Sequence, residues 1–147
     1  MKRVYTGGTF DLWHSGHVNF LRQCKLLSDG GSVIVSLNTD EFIAQFKGNA
    51  PIMTYSEREA ILRSCKYVDE VVPNTGGADS KPAIILAKPD IIAVGSDWAK
   101  KDYFTQMQFT QEWLDQQGIL LVYLPYTEGI STTQVKERMK AIWNKQS

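Results

Sequence analysis

Cysteine is scarce in this chain: Cys24 and Cys65 are the two among 147 residues, and they form no CxxC unit. No disulfide framework follows from such a pair, and both thiols lie on helical patterns, so they read as reduced and largely buried. Net charge is missing too. Sixteen basic residues balance sixteen acidic ones, which removes the electrostatic footprint of a protein that coats nucleic acid or binds membranes through a polybasic patch. No apolar run approaches the roughly 20 residues that span a bilayer, and the opening Met1-Lys2-Arg3-Val4 lacks the long apolar segment of a secretory signal. These absences predict a cytoplasmic protein with small-molecule partners, without nucleic acid and without a membrane. Histidine is the remaining scarcity: His14 and His17 are the whole complement, and they sit three residues apart.

The length fits one domain over residues 1–147, large enough to bury a core without disulfides or a structural metal. Short β-branched runs alternate with helical patterns, the sequence form of a parallel sheet covered on both faces. Strands are expected at Arg3–Thr6, Ser32–Leu37, Glu70–Pro73, Ile91–Gly95 and Leu120–Leu124. Helices are expected at Val18–Leu27, Glu57–Cys65, Lys81–Lys88, Phe104–Gln117 with Gly118 closing it, and Ser131–Lys145 with Ser131 or Thr132 as its cap. The predicted fold is α/β, a Rossmann-like parallel five-stranded sheet with helices on both faces. Its ligand is expected beyond the carboxyl ends of the strands.

The first strand runs into Gly7-Gly8-Thr9-Phe10-Asp11 and then into the helix that carries His14, Gly16 and His17. A helix N-terminus presents unpaired N–H groups and the positive end of its dipole, so this junction favours a bound anion. Gly8, Thr9 and Phe10 offer backbone N–H groups that approach phosphate closely, although the Phe10 side chain can equally pack on the first helix. Asp11 reads as a turn-stabilising residue. Near the other end, Ser131, Thr132 and Thr133 begin the last helix and offer a second anion cradle, with Gly129 giving its loop freedom; plain helix capping is compatible with that role. His14, His17 and Cys24 lack a fourth group at metal spacing, so no protein-held metal is expected.

Gly-Thr-Phe-Asp followed by His14-Ser15-Gly16-His17 resembles the signature of the cytidylyltransferase branch of the nucleotidyltransferase superfamily. Thr127-Glu128-Gly129-Ile130-Ser131-Thr132-Thr133 resembles the second signature of glycerol-3-phosphate cytidylyltransferases, and Asn38–Phe42, Tyr67–Val71 and Gly95–Trp98 also read like segments of that family. The resemblance implies transfer of CMP from CTP to a phosphorylated alcohol, with Mg²⁺ accompanying the CTP phosphates, in a homodimer. It implies that His14 and His17 donate to the phosphates, that Lys47 from a loop and Arg58 from the Glu57-Arg58 pair reach them, and that Thr127, Gly129, Ile130, Ser131 and Thr132 hold the nucleotide. Asp97 is the candidate acceptor for the cytosine amine, which would favour cytidine over uridine, and Trp98 is either a wall of the base pocket or core.

Three departures bear on the acceptor. Tyr126 stands where the family's second signature has arginine, Lys66 stands where arginine precedes Tyr-Val-Asp-Glu, and Ser96 replaces the first acid of Gly-Asp-Asp-Trp. Tyrosine offers one hydroxyl and a ring, and lysine lacks the bidentate fork. Lys47, Lys66 and Tyr126 are therefore the acceptor-binding candidates, with Lys100 and Lys101 as substitute cations. The segment Ala99–Gln117 looks longer than in compact members of the family. Competing readings are an adenylyltransferase of the same superfamily, acting on a sugar phosphate or a flavin, and a nucleotide-binding module without turnover.

Overall fold

The computed structural model describes residues 1–96 and 101–146. Its chain order is β1 (Arg3–Gly8), α1 (Ser15–Leu27), β2 (Ser32–Leu37), α2 (Asp40–Lys47), α3 (Tyr55–Ser64), β3 (Glu70–Pro73), α4 (Lys81–Ala87), β4 (Ile91–Gly95), α5 (Tyr103–Met107), α6 (Gln111–Gln117), β5 (Leu120–Leu124) and α7 (Thr132–Gln146). The five strands are all parallel in the order β3-β2-β1-β4-β5, with Val4 opposite Val33 on one side and Ile91 on the other. This is the expected α/β sheet.

Side-chain alternation sorts the core into two layers. Val4, Val33, Val35, Ile91 and Ala93 face α1 and α3, where Leu21, Cys24 and Leu62 meet them. Tyr5, Ile34, Ile92 and Val94 point the other way and pack on Ala83, Ile84 and Leu114. Because successive strand residues alternate in direction, a strand buried on both faces must be apolar throughout, as β4 is. Cys24 is fully buried, and burial pushes its thiol up to about 12, which makes it an inert core residue.

Two expectations about helices need correction. Phe104–Gln117 is not one helix: Gln108 turns left-handed at φ 57°, which drops Phe109 into the core at 3% exposure, and Thr110 caps a new helix by accepting from the Trp113 N–H. Burial of one aromatic outweighs continuity of the helical hydrogen bonds. The second correction is α2, which the strand-and-helix reading lacked. Thr39 caps it by accepting from the Phe42 N–H at 3.2 Å, and Gly48 ends it at φ 79°. Lys47 thus lies on the last turn of a helix, where its charge suits the negative end of the dipole.

From β1 the chain steps to β2 and β3 on one side, and then returns to β4 and β5 on the other. At such a switch point the connections leave β1 and β4 in opposite directions, opening a crevice at their carboxyl ends.

Candidate active site

That crevice is a cavity of about 500 Å³. Its floor is Thr6-Gly7-Gly8-Thr9 from β1 with Val94 and Gly95 from β4. Phe10, Asp11, His17 and Phe20 form one wall, Lys47 and Asn49-Ala50-Pro51 a second, and Tyr126, Thr132 and Lys136 close a third.

The turn after β1 holds an unusual backbone. Phe10 and Leu12 both have positive φ, 53° and 49°, a conformation that residues with a side chain adopt only under constraint. Asp11 supplies that constraint. Its carboxylate is buried and accepts from Leu12 N–H at 3.1 Å, Ile52 N–H at 2.7 Å and Met53 N–H at 2.9 Å, fastening the loop after α2 to the turn after β1. Its turn-stabilising reading agrees with this placement. The Phe10 side chain packs on Trp13 and His17, and the residue also lines the cavity, so packing and a place in the site coexist at that residue.

His14 and His17 are fixed by the helix they begin. His14 caps α1, its Nδ1 accepting from Gly16 N–H at 3.0 Å, and His17 Nδ1 accepts from His14 N–H at 3.2 Å. A ring nitrogen that accepts a hydrogen bond carries no proton, so each neutral imidazole is assigned its proton on Nε2. The rings stack with centroids 3.8 Å apart. Burial, then the neighbouring His14, lowers His17 to about 4 against the opposing pull of Asp11; burial and Arg138 lower His14. Both are therefore neutral Nε2–H donors near pH 7. Gly16 allows this arrangement, since a Cβ there would lie 2.8 Å from His14 Cε1.

The second signature meets the first. Ser131 caps α7, its hydroxyl accepting from Gln134 N–H at 3.1 Å, and Thr132 Oγ1 donates to the Asp11 carbonyl at 2.8 Å. Asn19 Nδ2 donates to Thr127 Oγ1 at 3.1 Å. Helices α1 and α7 consequently present their N-termini to neighbouring space, where His14, Thr127, Ile130 and Ser131 surround a smaller recess of about 220 Å³. His17, Phe20, Tyr126 and Thr132 line both hollows, which makes them one continuous site.

Two expected site residues, Arg58 and Lys66, fall elsewhere, and three more candidates lie outside the described residues. Arg58 is fully buried and spent within the protein: it donates to the carbonyls of Thr9 (2.8 Å), Asn38 (2.9 Å) and Met53 (3.1 Å) and pairs with Asp40 at 2.6 Å. It holds the turn after β1 from behind and lines neither of these two hollows, so positioning takes the place of the expected reach to phosphate. Lys66 lies between α3 and β3, at the amino ends of the strands, with its ammonium 5.1 Å from the Tyr67 ring centroid. A parallel sheet puts that edge opposite the cavity, so within the chain Lys66 is no acceptor ligand. Asp97 and Trp98, with Lys100, lie outside the described residues. Gly129 has φ 78° in the loop before α7.

Lys136 was missed. It lines the cavity one helical turn after Thr132, and the i, i+4 spacing from a predicted cap residue was the available signal. Tyr126 lines the cavity with its ring against β4: a Cβ on Gly95 would come within 2.7 Å of Tyr126 Cζ.

The Cytidylyltransferase-like family profile matches residues 5–138. The chain is 39% identical over 142 residues to the glycerol-3-phosphate cytidylyltransferase of Bacillus subtilis (strain 168), covering 97% of this chain and 100% of that one. It is 35% identical over 141 residues to the FAD synthase of Pyrococcus horikoshii, covering 96% and 94% respectively. Among solved structures, the lipopolysaccharide core biosynthesis protein from Thermoplasma volcanium superposes with a TM-score of 0.66 at 30% identity, over 85% of this chain and 95% of that one.

Proposed function

We propose that this chain, which belongs to the cytidylyltransferase-like family, transfers CMP from CTP to the phosphate of glycerol 3-phosphate, releasing pyrophosphate and forming CDP-glycerol. The observation that carries the reading is the pair of histidines held as neutral Nε2–H donors between two helix N-termini. An acceptor phosphate oxygen attacks the α-phosphorus of CTP, the bond to the bridging oxygen breaks, and pyrophosphate leaves with that oxygen. Charge grows on the leaving group and the equatorial oxygens, and preorganised donors stabilise it without reorganising. His14 and His17 serve as such donors, and the α7 N-terminus with Ser131 and Thr132 cradles the triphosphate. Lys47 and Lys136, which both line the cavity, add positive charge.

Among the described residues no three His, Cys, Asp or Glu side chains cluster to hold a metal. That donor set suits a Mg²⁺ ion carried by the CTP phosphates and water, since Mg²⁺ commonly keeps several waters and uses substrate phosphates. When bound, the ion neutralises triphosphate charge. Among the described residues no helix is long and apolar enough to cross a membrane, and both cysteines are free thiols, which supports a cytoplasmic location. The homodimer belongs to the same reading, supported by the exposed apolar residues Met139, Ile142 and Trp143 of α7.

Pyrophosphate release by the purified protein, with CTP, UTP and ATP each against glycerol 3-phosphate, other phosphorylated alcohols and FMN, tests the assignment. CTP with glycerol 3-phosphate is expected to turn over fastest, and chelation of Mg²⁺ to stop it. ATP with FMN turning over fastest would move the chain to the adenylyltransferase reading, and binding without any release would make it a nucleotide sensor.

A further inference from the structure

A second cavity of about 200 Å³ runs down the other face of the sheet, beneath Gly7 and Gly8, toward α4 and α5. It shares Gly7, Gly8, Thr9, Ile43, Lys47 and Val94 with the main cavity, so the two meet at the phosphate-facing turn. Two side-chain atoms in its lining are buried without any hydrogen bond, Ser36 Oγ and Asn74 Oδ1. Ser36 is 1% exposed and its hydroxyl lies beside that of Tyr5, a polar contact that works against the burial pushing the Tyr5 phenol up to about 12. Asn74 has its orientation set by its amide: Nδ2 donates to Asn38 Oδ1 at 3.0 Å and to the Gly77 carbonyl at 2.8 Å, which leaves Oδ1 as the group without a partner. Asn38 in turn donates to Thr9 Oγ1 at 3.3 Å, tying this network to the turn that faces phosphate.

Buried polar atoms without partners are rare because each costs the desolvation it cannot recover, and a cluster of them lining a cavity marks the place of a missing partner. An amide oxygen accepts only, so the missing partner is a donor; a serine hydroxyl takes either role. At about 200 Å³ the cavity has less than half the volume of the main one, so it suits a short chain such as the glycerol unit better than a large ring system. Lys47 at the junction sets the charged end.

We propose that Ser36 and Asn74 determine acceptor specificity by hydrogen-bonding the hydroxyls of a short polyol phosphate, whose chain fills this second cavity and whose phosphate sits at the junction beside Lys47. The inference rests on the reading of the chain as a nucleotidyltransferase with a phosphorylated-alcohol acceptor, and assigns how that acceptor is told from others.

Glycerol 3-phosphate, 2-hydroxypropyl phosphate and 3-hydroxypropyl phosphate are compared as acceptors for the wild type, Ser36→Ala and Asn74→Leu. Binding of the same three compounds is measured calorimetrically with a CTP analogue whose α–β bridge is methylene. The wild type should favour glycerol 3-phosphate over the weaker deoxy compound by about 10- to 100-fold in kcat/KM, the range expected when one buried polar group is left unpaired. Ser36→Ala removes within the fold only the contact with the Tyr5 hydroxyl and should shrink that preference while leaving the KM for CTP unchanged. Asn74→Leu should do the same if it folds, and Ser36→Ala keeps the test open if it does not. Equal discrimination by the wild type and Ser36→Ala, or no discrimination by the wild type, overturns the inference even where CMP transfer is found. Hydroxyl-dependent binding that Ser36→Ala weakens, in a protein that never releases pyrophosphate, upholds the pocket and refutes the transferase reading.

Discussion

Replacing Arg58 by methionine should damage stability and activity together, because the guanidinium is a structural clamp behind the site. Its side chain is fully excluded from solvent, whereas that of Asp40 is 35% exposed. Truncation strands the carbonyls of Thr9, Asn38 and Met53 and the Asp40 carboxylate, all now bonded at 2.6–3.1 Å. Breaking a buried ion pair from one side costs about 3–5 kcal/mol, and the partial solvation of Asp40 favours the lower end, about 3 kcal/mol. For a chain of this size each kcal/mol moves Tm by about 2–4 °C, so a fall of about 6–12 °C is expected. Freed of its anchor, the Thr9 turn should shift, and misplacement of about 1 Å can lower turnover about 100-fold. Thermal melts followed by circular dichroism, with pyrophosphate release measured where both proteins are folded, give the two numbers. An Arg58→Met protein that melts with the wild type and shows only a raised KM for CTP would refute the clamp and restore Arg58 as a phosphate ligand.

His14→Ala and His17→Ala should each lower kcat by about 10²–10³, the value of one preorganised donor to a developing oxyanion; near-normal pyrophosphate release from either folded variant refutes the donor role. The same burial makes stability depend on pH. His17 is lowered to about 4 in the fold from its ordinary 6.5, so the unfolded chain binds the extra proton and stability falls as pH drops from about 6.5 to about 4, by about 3 kcal/mol. Chemical denaturation across that range should show the loss in the wild type and a smaller one in His17→Gln. Gly16→Ala should mimic His14→Ala in turnover, since its methyl would displace the capping ring; unchanged turnover would show that the ring's position is not critical. Gly95→Ala should fold, because the group it meets is the far end of the half-exposed Tyr126, and should raise substrate KM. Adding Tyr126→Ala should reverse that rise, and failure to do so would remove the ring from the site.

The sequence by itself determined the five strands, because each is a short, largely apolar run bounded by turn residues, most plainly β1, β2 and β4 at the centre of the sheet. It also determined which ends of the chain meet: Thr132 reaching Asp11 joins the two signature segments that already stood out as helix starts. What it left undecided was where charge points. Arg58 and Lys47 are both cations near one loop in sequence, yet one is buried against backbone carbonyls and the other lines the cavity, a distinction set by packing of α3 behind the turn and by no local pattern. Lys66 fell on the wrong edge of the sheet for the same reason, since strand direction places it and a motif does not. The break at Gln108 and the unpartnered Ser36 and Asn74 are likewise tertiary facts. A core can claim Phe109 against helix continuity, and a hydroxyl on an apolar strand shows its missing partner only once the opposite wall is in place.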